Sequence, residues 1–255
     1  MIVVLSPAKK LDFETPAPTK KFTKLTSLPK AETLIEELRK CDAAQISKLM
    51  KLSDDLTSLN MKRYQEFSPP FTLENAKQAM FAFKGDTYVG LDADTMNSSE
   101  IKFAQNHLRI LSGLYGLLSP LDLVQPYRLE MGTKFAVGDN RNLYDFWRAT
   151  ITDQLNKLLE KEEVLINCAS NEYFKAVEIK KLKGSVITPA FKEKKGNEYK
   201  MVGFFAKKAR GMMSRYIIEN EINDPKDLLS FNKDGYAYNK KLSSENEPVF
   251  TRESN

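Results

Sequence analysis

Histidine, cysteine and tryptophan are nearly missing from this 255-residue chain, which holds one His, two Cys and one Trp. The lone His107 has no second imidazole to pair with, and no His–Cys spacing suits a metal, which argues against a tight zinc or iron site. No cofactor is called for, and scattered carboxylates such as Glu130 and Asp145 cannot be assembled into a site from sequence. His107 falls on the apolar face of a predicted helix, a place for a core or interface residue rather than a catalyst. Cys41 and Cys168 stand far apart in unlike contexts, which speaks against a disulfide framework and fits a reducing compartment. Apolar runs stay well short of the roughly 20 residues a bilayer span needs. Met1-Ile2-Val3-Val4-Leu5 lacks the basic region and length of a signal peptide, so a cytoplasmic protein without a membrane partner is expected.

What is present is the composition of a folded protein, 42% hydrophobic and 29% charged. No linker-like stretch divides the chain, so residues 1–255 are read as one large domain of mixed α/β class, a central mixed sheet surrounded by helices. The net charge of +5 hides a segregation. Lys175 to Tyr216 holds 12 Lys or Arg against 3 Glu, a net of +9, and Lys9 to Lys30 holds 6 basic against 2 acidic residues, a further +4. Such segregation is the electrostatic footprint of a protein that meets a polyanion, or a merely soluble basic surface.

In chain order, Ile2-Val3-Val4-Leu5 reads as a buried strand that stops at Pro7 and leaves Ser6 and Lys9 at its carboxyl end, where α/β sheets commonly hold ligand groups. Thr15 to Pro29 reads as a surface loop, and Lys30 to Met80 as helical scaffold, with Asp42 and Gln45 as a capping box and Thr72 capping a further helix over Ala76, Ala79 and Met80. Lys84-Gly85-Asp86 is a tight turn able to hold a phosphate or a metal-bound water, or to serve geometry alone, followed by an extended Thr87 to Gly90. Leu143 to Glu160 is a long amphipathic helix with Trp147 in the core. Val164 to Ser170 is a second buried strand ending in small polar residues, followed by Glu172. The two strands that end this way could lie side by side and share a site. Further strands are expected at Ser185 to Thr188, Tyr199 to Phe204, Tyr236 to Tyr238 and Pro248 to Thr251, with a basic hairpin turning at Gly196-Asn197 and a short helix capped by Asp224 and Pro225.

Two stretches stand out. In Leu108 to Gly132, apolar residues at helical spacing flank Gly113-Leu114-Tyr115-Gly116, which predicts two short helices joined by a glycine turn, with Arg109 and Arg128 on its flanks. That is either a clamp whose main-chain N–H groups approach a phosphate or a buried corner. In Phe205 to Asn220, one helical side takes Phe205, Ala209, Met212, Met213, Tyr216 and Ile217, and the other takes Lys207, Lys208, Arg210 and Arg215 with Gly211 as a low spot among them. Gly211 either lets a phosphate approach or admits a neighbouring helix.

Several long stretches together resemble the YaaA family of peroxide-stress proteins: SPAKKLDF (Ser6 to Phe13), AFKGDTYVGL (Ala82 to Leu91), HLRILSGLYGLLSPLDLVQPYRLEMG (His107 to Gly132), NCASNEYFK (Asn167 to Lys175) and FFAKKARGMMSRYIIEN (Phe204 to Asn220). The resemblance covers essentially the whole chain. It implies a DNA-binding protein of oxidative-stress defence with a positively charged cleft and a helix–hairpin–helix element, which limits unincorporated iron and damage to DNA and protein. Gly113 and Gly116 depart by one residue from the Gly-x-Gly usual in such turns. Two functions follow as expectations. The first is duplex or structured DNA bound through its phosphates by Lys9, Lys84, Arg109, Gly113, Gly116, Arg128, Lys207, Lys208, Arg210, Gly211 and Arg215, with little sequence preference. The second is an enzyme of DNA repair acting on a damaged base or nucleoside, with Asp122, or Ser6, Lys9 and Glu172, supplying acid, base or nucleophile. The second requires a pocket.

Overall fold

The structure, a computed structural model, describes residues 1–159 and 163–253. The first strand, β1 (Ile2–Leu5), is buried along its whole length, and a two-residue strand, β2 (Lys10–Leu11), follows. Helices α1 (Leu28–Arg39), α2 (Ala43–Met50) and α3 (Asp54–Glu66) form the scaffold. The capping box read at Asp42 forms: its carboxylate accepts the Gln45 N–H and the Gln45 side chain accepts the Asp42 N–H, both at 2.8 Å. The expected helix through Ala76 does not form. Instead β3 (Lys77–Gln78) leads into the short α4 (Ala79–Ala82) and β4 (Phe83–Lys84). Lys77 Nζ donates to the carbonyls of Asp12 and Thr15, and Gln78 Nε2 donates to those of Thr19 and Lys21, so tertiary bonds to the preceding loop override the local helical pattern. The segment after Gly85 is a helix, α5 (Asp86–Leu91), where an extended stretch is expected.

The glycine turn is also rearranged. Helix α6 (Ser98–His107), capped by Asn97 and Glu100, ends at His107, whose Nδ1 lies 2.9 Å from the Met1 carbonyl. The chain then becomes β5 (Leu108–Ser112), turns, and returns antiparallel as β6 (Gly116–Leu118), followed by β7 (Leu123–Val124). No helix flanks Gly113–Gly116, so the helix–hairpin–helix reading of this turn is corrected to a β-hairpin. Every residue of β5 and β6 is buried, and an apolar run covered on both faces shows no strand alternation, which is why it mimics a helical face.

Helix α7 (Leu143–Leu158) ends where expected within two residues, Glu160 lying outside the described residues. Then come β8 (Val164–Cys168), α8 (Asn171–Phe174), β9 (Ser185–Ile187) and the hairpin β10 (Ala190–Lys195) and β11 (Glu198–Lys200), which turns at Gly196-Asn197. Helix α9 (Gly203–Glu219), β12 (Ala237–Tyr238) and β13 (Val249–Arg252) complete the fold. The architecture is mixed α/β with several sheets. The central sheet has the order β6-β5-β1-β8-β9, with β6 antiparallel and the rest parallel, and a second sheet has the order β11-β10-β13-β12. One apolar cluster joins them, running from Val3 and Ile166 to Phe191 and Phe250.

Candidate functional site

Strands β1 and β8 are neighbours in parallel register, Leu5 beside Cys168, so the two strands that end in small polar residues do lie side by side. The chain leaves β1 for β5 on one flank and later returns as β8 on the other, so connections diverge to opposite sides at the carboxyl ends of β1 and β8. Open α/β sheets bind ligands at such points. Just beyond, Ser6 Oγ accepts the Ser170 N–H at 2.8 Å and donates to Ser170 Oγ at 3.2 Å, tying the two loops together.

A cleft of about 300 Å³ opens there, lined by Ser6, Lys9, Glu130, Glu172, Lys207 and Arg210 among others. Its cations are Lys9, Lys10, Lys84, Lys207 and Arg210, and its carboxylates Asp86, Glu130 and Glu172, so positive charge is in excess by five to three. A larger groove of about 1120 Å³ adjoins it, sharing Lys10, Lys84, Gly85 and Asp86. There the order reverses: four cations, Lys10, Lys62, Arg63 and Lys84, face six carboxylates on Asp12, Glu14, Glu66, Asp86, Asp92 and Asp94.

Within the cleft, Lys9 Nζ meets Glu130 Oε1 at 2.9 Å, and Arg128 reaches the same oxygen through Nε at 3.2 Å and Nη2 at 3.0 Å. Glu172 Oε1 accepts the Gly132 N–H at 3.1 Å. Lys84 pairs with Asp94 and lies 3.8 Å from Asp12. Cys168 at the floor is buried, which pushes its thiol up to about 11. Arg210 is half-buried and pushed below its ordinary value by burial, an effect that the neighbouring Cys168 thiol partly offsets. Both cysteines are free. Among the described residues no group of three or more His, Cys, Asp or Glu side chains is placed to hold a metal ion, and no helix is long and apolar enough to cross a membrane.

The structure thus brings Ser6, Lys9, Lys84, Glu172, Lys207 and Arg210 together, sets Arg128 against them on the Glu130 carboxylate, and leaves the other sequence candidates elsewhere. Arg109 is buried and donates to the carbonyls of Gln105 at 2.9 Å and Leu108 at 2.6 Å, so it braces the end of α6. Arg128 is held by Glu130. A Cβ on Gly113 would stand 2.2 Å from the Leu129 carbonyl oxygen, and one on Gly116, at φ +74°, 2.5 Å from the Trp147 ring, so protein and not solvent covers the turn. Trp147 Nε1 donates to the Gly113 carbonyl at 2.9 Å. Asp122 is buried away from the cleft, accepting from Thr23 Oγ1 at 2.6 Å and the Ser119 N–H at 2.8 Å, and burial pushes its carboxyl up. Gly211 faces α5: its Cβ would meet the Thr87 carbonyl oxygen at 1.8 Å. It admits a neighbouring helix, and the low spot among the cations is filled. Lys208 pairs with Asp234 at 3.3 Å, and Arg215 binds Glu219, Glu100 and the Asp92 carbonyl, fastening α9 to its surroundings. Glu130 and Lys10 were not singled out as site residues, since what distinguishes them is spatial: the ion pair between Lys9 and Glu130 joins residues remote in sequence.

The sequence profile of the family described as peroxide stress protein YaaA matches residues 1–242. Relatives match along nearly their whole length: a UPF0246 protein of Shewanella loihica is 53% identical over 255 residues, covering 99% of each chain. One from Alteromonas mediterranea is 55% identical over 254 residues, covering 99% of this chain and 98% of its own. A third, from Aliivibrio fischeri, is 52% identical over 255 residues with the same coverage. With the profile and these relatives in agreement from end to end, the chain belongs to the peroxide stress protein YaaA family.

Proposed function

We propose that this protein serves the hydrogen peroxide stress response in the cytosol by binding DNA through its phosphates, protecting DNA and protein and lowering unincorporated iron. The supporting observation is the convergence of Lys9, Lys10, Lys84, Lys207 and Arg210 on one cleft at the carboxyl ends of β1 and β8. Phosphate contacts position a nucleic acid without reading its sequence, so little site preference accompanies this mode. The test is duplex binding by the purified chain across a salt series, with Lys207→Ala/Arg210→Ala beside it. Each phosphate contact contributes a slope of about −0.9 in log affinity against log salt. The double variant is expected to bind more weakly with a slope shallower by about 2. Absence of wild-type binding, or an unchanged slope, refutes the reading. The iron effect is checked by the spin signal of free ferric iron in peroxide-treated cells with and without the protein.

A second reading, an enzyme acting on a damaged base or nucleoside, is favoured by the cleft itself. Its volume of about 300 Å³ is the size of one small ligand, and Ser6, Lys9 and Glu172 line it, which supplies a hydroxyl, an amine and a carboxylate to one compartment. Oxidised nucleosides and oligonucleotides with one oxidised base are the substrates to try, with product formation followed by chromatography and Ser6→Ala as the control.

A further inference from the structure

In the cleft one buried polar atom lacks the partner that buried polar groups require, and one half-buried cation lacks an acceptor, so the two are of opposite kinds. Glu130 places all three of its cationic contacts, one from Lys9 and two from Arg128, on Oε1. Its Oε2 is buried with no hydrogen-bond partner among the described residues. Arg210, on α9, has neither a carboxylate nor a hydrogen-bond partner for its guanidinium among the described residues. Both residues line the same cavity. One end of the site therefore offers a forked, always-charged donor suited to phosphate, and another a carboxylate with one oxygen left unpaired, closed off from solvent beside the Lys9 ion pair.

We infer that the cleft is a mononucleotide site, in which Arg210 takes the phosphate and Glu130 Oε2 accepts an N–H from the base, with Ser6 and Ser170 between the β1 and β8 loops within reach of the sugar. This deepens the second reading above and rests on it. A zwitterion such as an amino acid has the same pair of charges but no net charge. With Lys9 paired to Glu130 and Lys84 to Asp94, the lining charges left unpaired among the described residues are Lys10, Lys207 and Arg210 against Asp86 and Glu172, a surplus that favours an anionic phosphate over a neutral zwitterion. The volume suits one nucleotide and not a stacked pair, so a nucleic acid enters by an extruded residue or a strand end.

The experiment is calorimetric titration of the full chain with deoxyguanosine monophosphate, deoxyguanosine, deoxyribose phosphate and glycine, beside a duplex titration. The nucleotide is expected to bind about ten-fold tighter than either fragment. Arg210→Gln lowers it to the level of the nucleoside, and Glu130→Gln to that of the sugar phosphate. Because Glu130→Gln also loosens Lys9 and Arg128, the wild-type comparison of nucleotide with sugar phosphate stands as an independent reading of the base contact. Equal binding of those two refutes the Glu130 contact, and equal binding of nucleotide and nucleoside refutes the Arg210 contact. Glycine binding in place of the nucleotide overturns the assignment of the ligand. Failure of nucleotide and nucleoside alike brings down the second reading together with this inference, and absence of duplex binding refutes the DNA-binding proposal separately.

Discussion

Replacing Gly211 with alanine separates a glycine that seats a helix from one that seats a phosphate. In α9 the added Cβ would stand 1.8 Å from the Thr87 carbonyl oxygen and 2.8 Å from the Leu91 nitrogen, and a Cβ on the facing Gly90 would meet the Lys208 carbonyl oxygen at 2.1 Å. These obstacles are backbone atoms, so no change of rotamer relieves them, and α5 and α9 must separate by about 1 Å or more. Overpacking costs about 1–3 kcal/mol, and a backbone-on-backbone clash belongs at the upper end. Alanine returns about 1 kcal/mol over glycine inside a helix. The balance is a loss of about 2 kcal/mol. For a chain of this size each kcal/mol moves Tm by roughly 2–4 °C, so calorimetry is expected to show a fall of about 4–8 °C. Because α9 also bears Lys207 and Arg210, the displacement reaches the cleft, and DNA binding is expected to weaken with it. A solvent-facing Gly211 gives the opposite sign, since helix propensity alone would raise Tm. An unchanged or higher Tm in Gly211→Ala refutes the close packing of the two helices.

Cys168 lines a cleft in a family associated with peroxide, yet burial pushes its thiol up to about 11, so at neutral pH it is not the nucleophilic thiolate. Mass spectrometry after peroxide treatment is expected to find Cys168 unmodified in the native protein and oxidised only once urea unfolds it. Native oxidation at the pace of a free thiol refutes this. Asp12 tests the opposite shift: the Thr15 backbone N–H, the Thr15 hydroxyl and the Glu14 N–H hold its carboxyl at about 2, below the ordinary 3.8. A carboxyl depressed by folding contributes stability that is complete above the unfolded value and is lost as pH falls through the folded one. The Tm gap between wild type and Asp12→Asn is thus expected to be constant above about pH 5 and to close between about pH 4 and 2. A gap that stays constant through that window refutes the assignment.

Elements whose cause is local were legible in the sequence. The Asp42–Gln45 box, the Asp224 cap, the Gly196-Asn197 hairpin and the amphipathic α7 depend on residues within a few positions of one another. So were the two strands ending at Leu5 and Cys168, because a short β-branched run before small polar residues needs no partner to be recognised. Leu108–Ser112 was not legible as a strand, since a run buried on both faces has no period. Its one usable signal is Gly116, whose positive φ suits a hairpin return. Arg109 and Arg128 are taken up by acceptors close to them in sequence, the Gln105 and Leu108 carbonyls and Glu130, which a count of charges does not reveal because it says nothing of which way a side chain turns.

The glycine in α9 joins the legible part to the hidden part. Read on one helix, Gly211 sits among four cations and looks like their low spot. A small residue inside a helix more often marks where another backbone comes close, and the matching small residue is Gly90, in a second helix where an extended segment is expected. Once the two glycines interlock, α9 can no longer present its cations as one face. Lys208 and Arg215 are committed to Asp234 and to Glu100 and Glu219, while Lys207 and Arg210 turn towards the carboxyl ends of β1 and β8. The close packing that takes Gly211 away from any phosphate is thus what delivers Arg210, unpaired among the described residues, to the cleft beside Cys168.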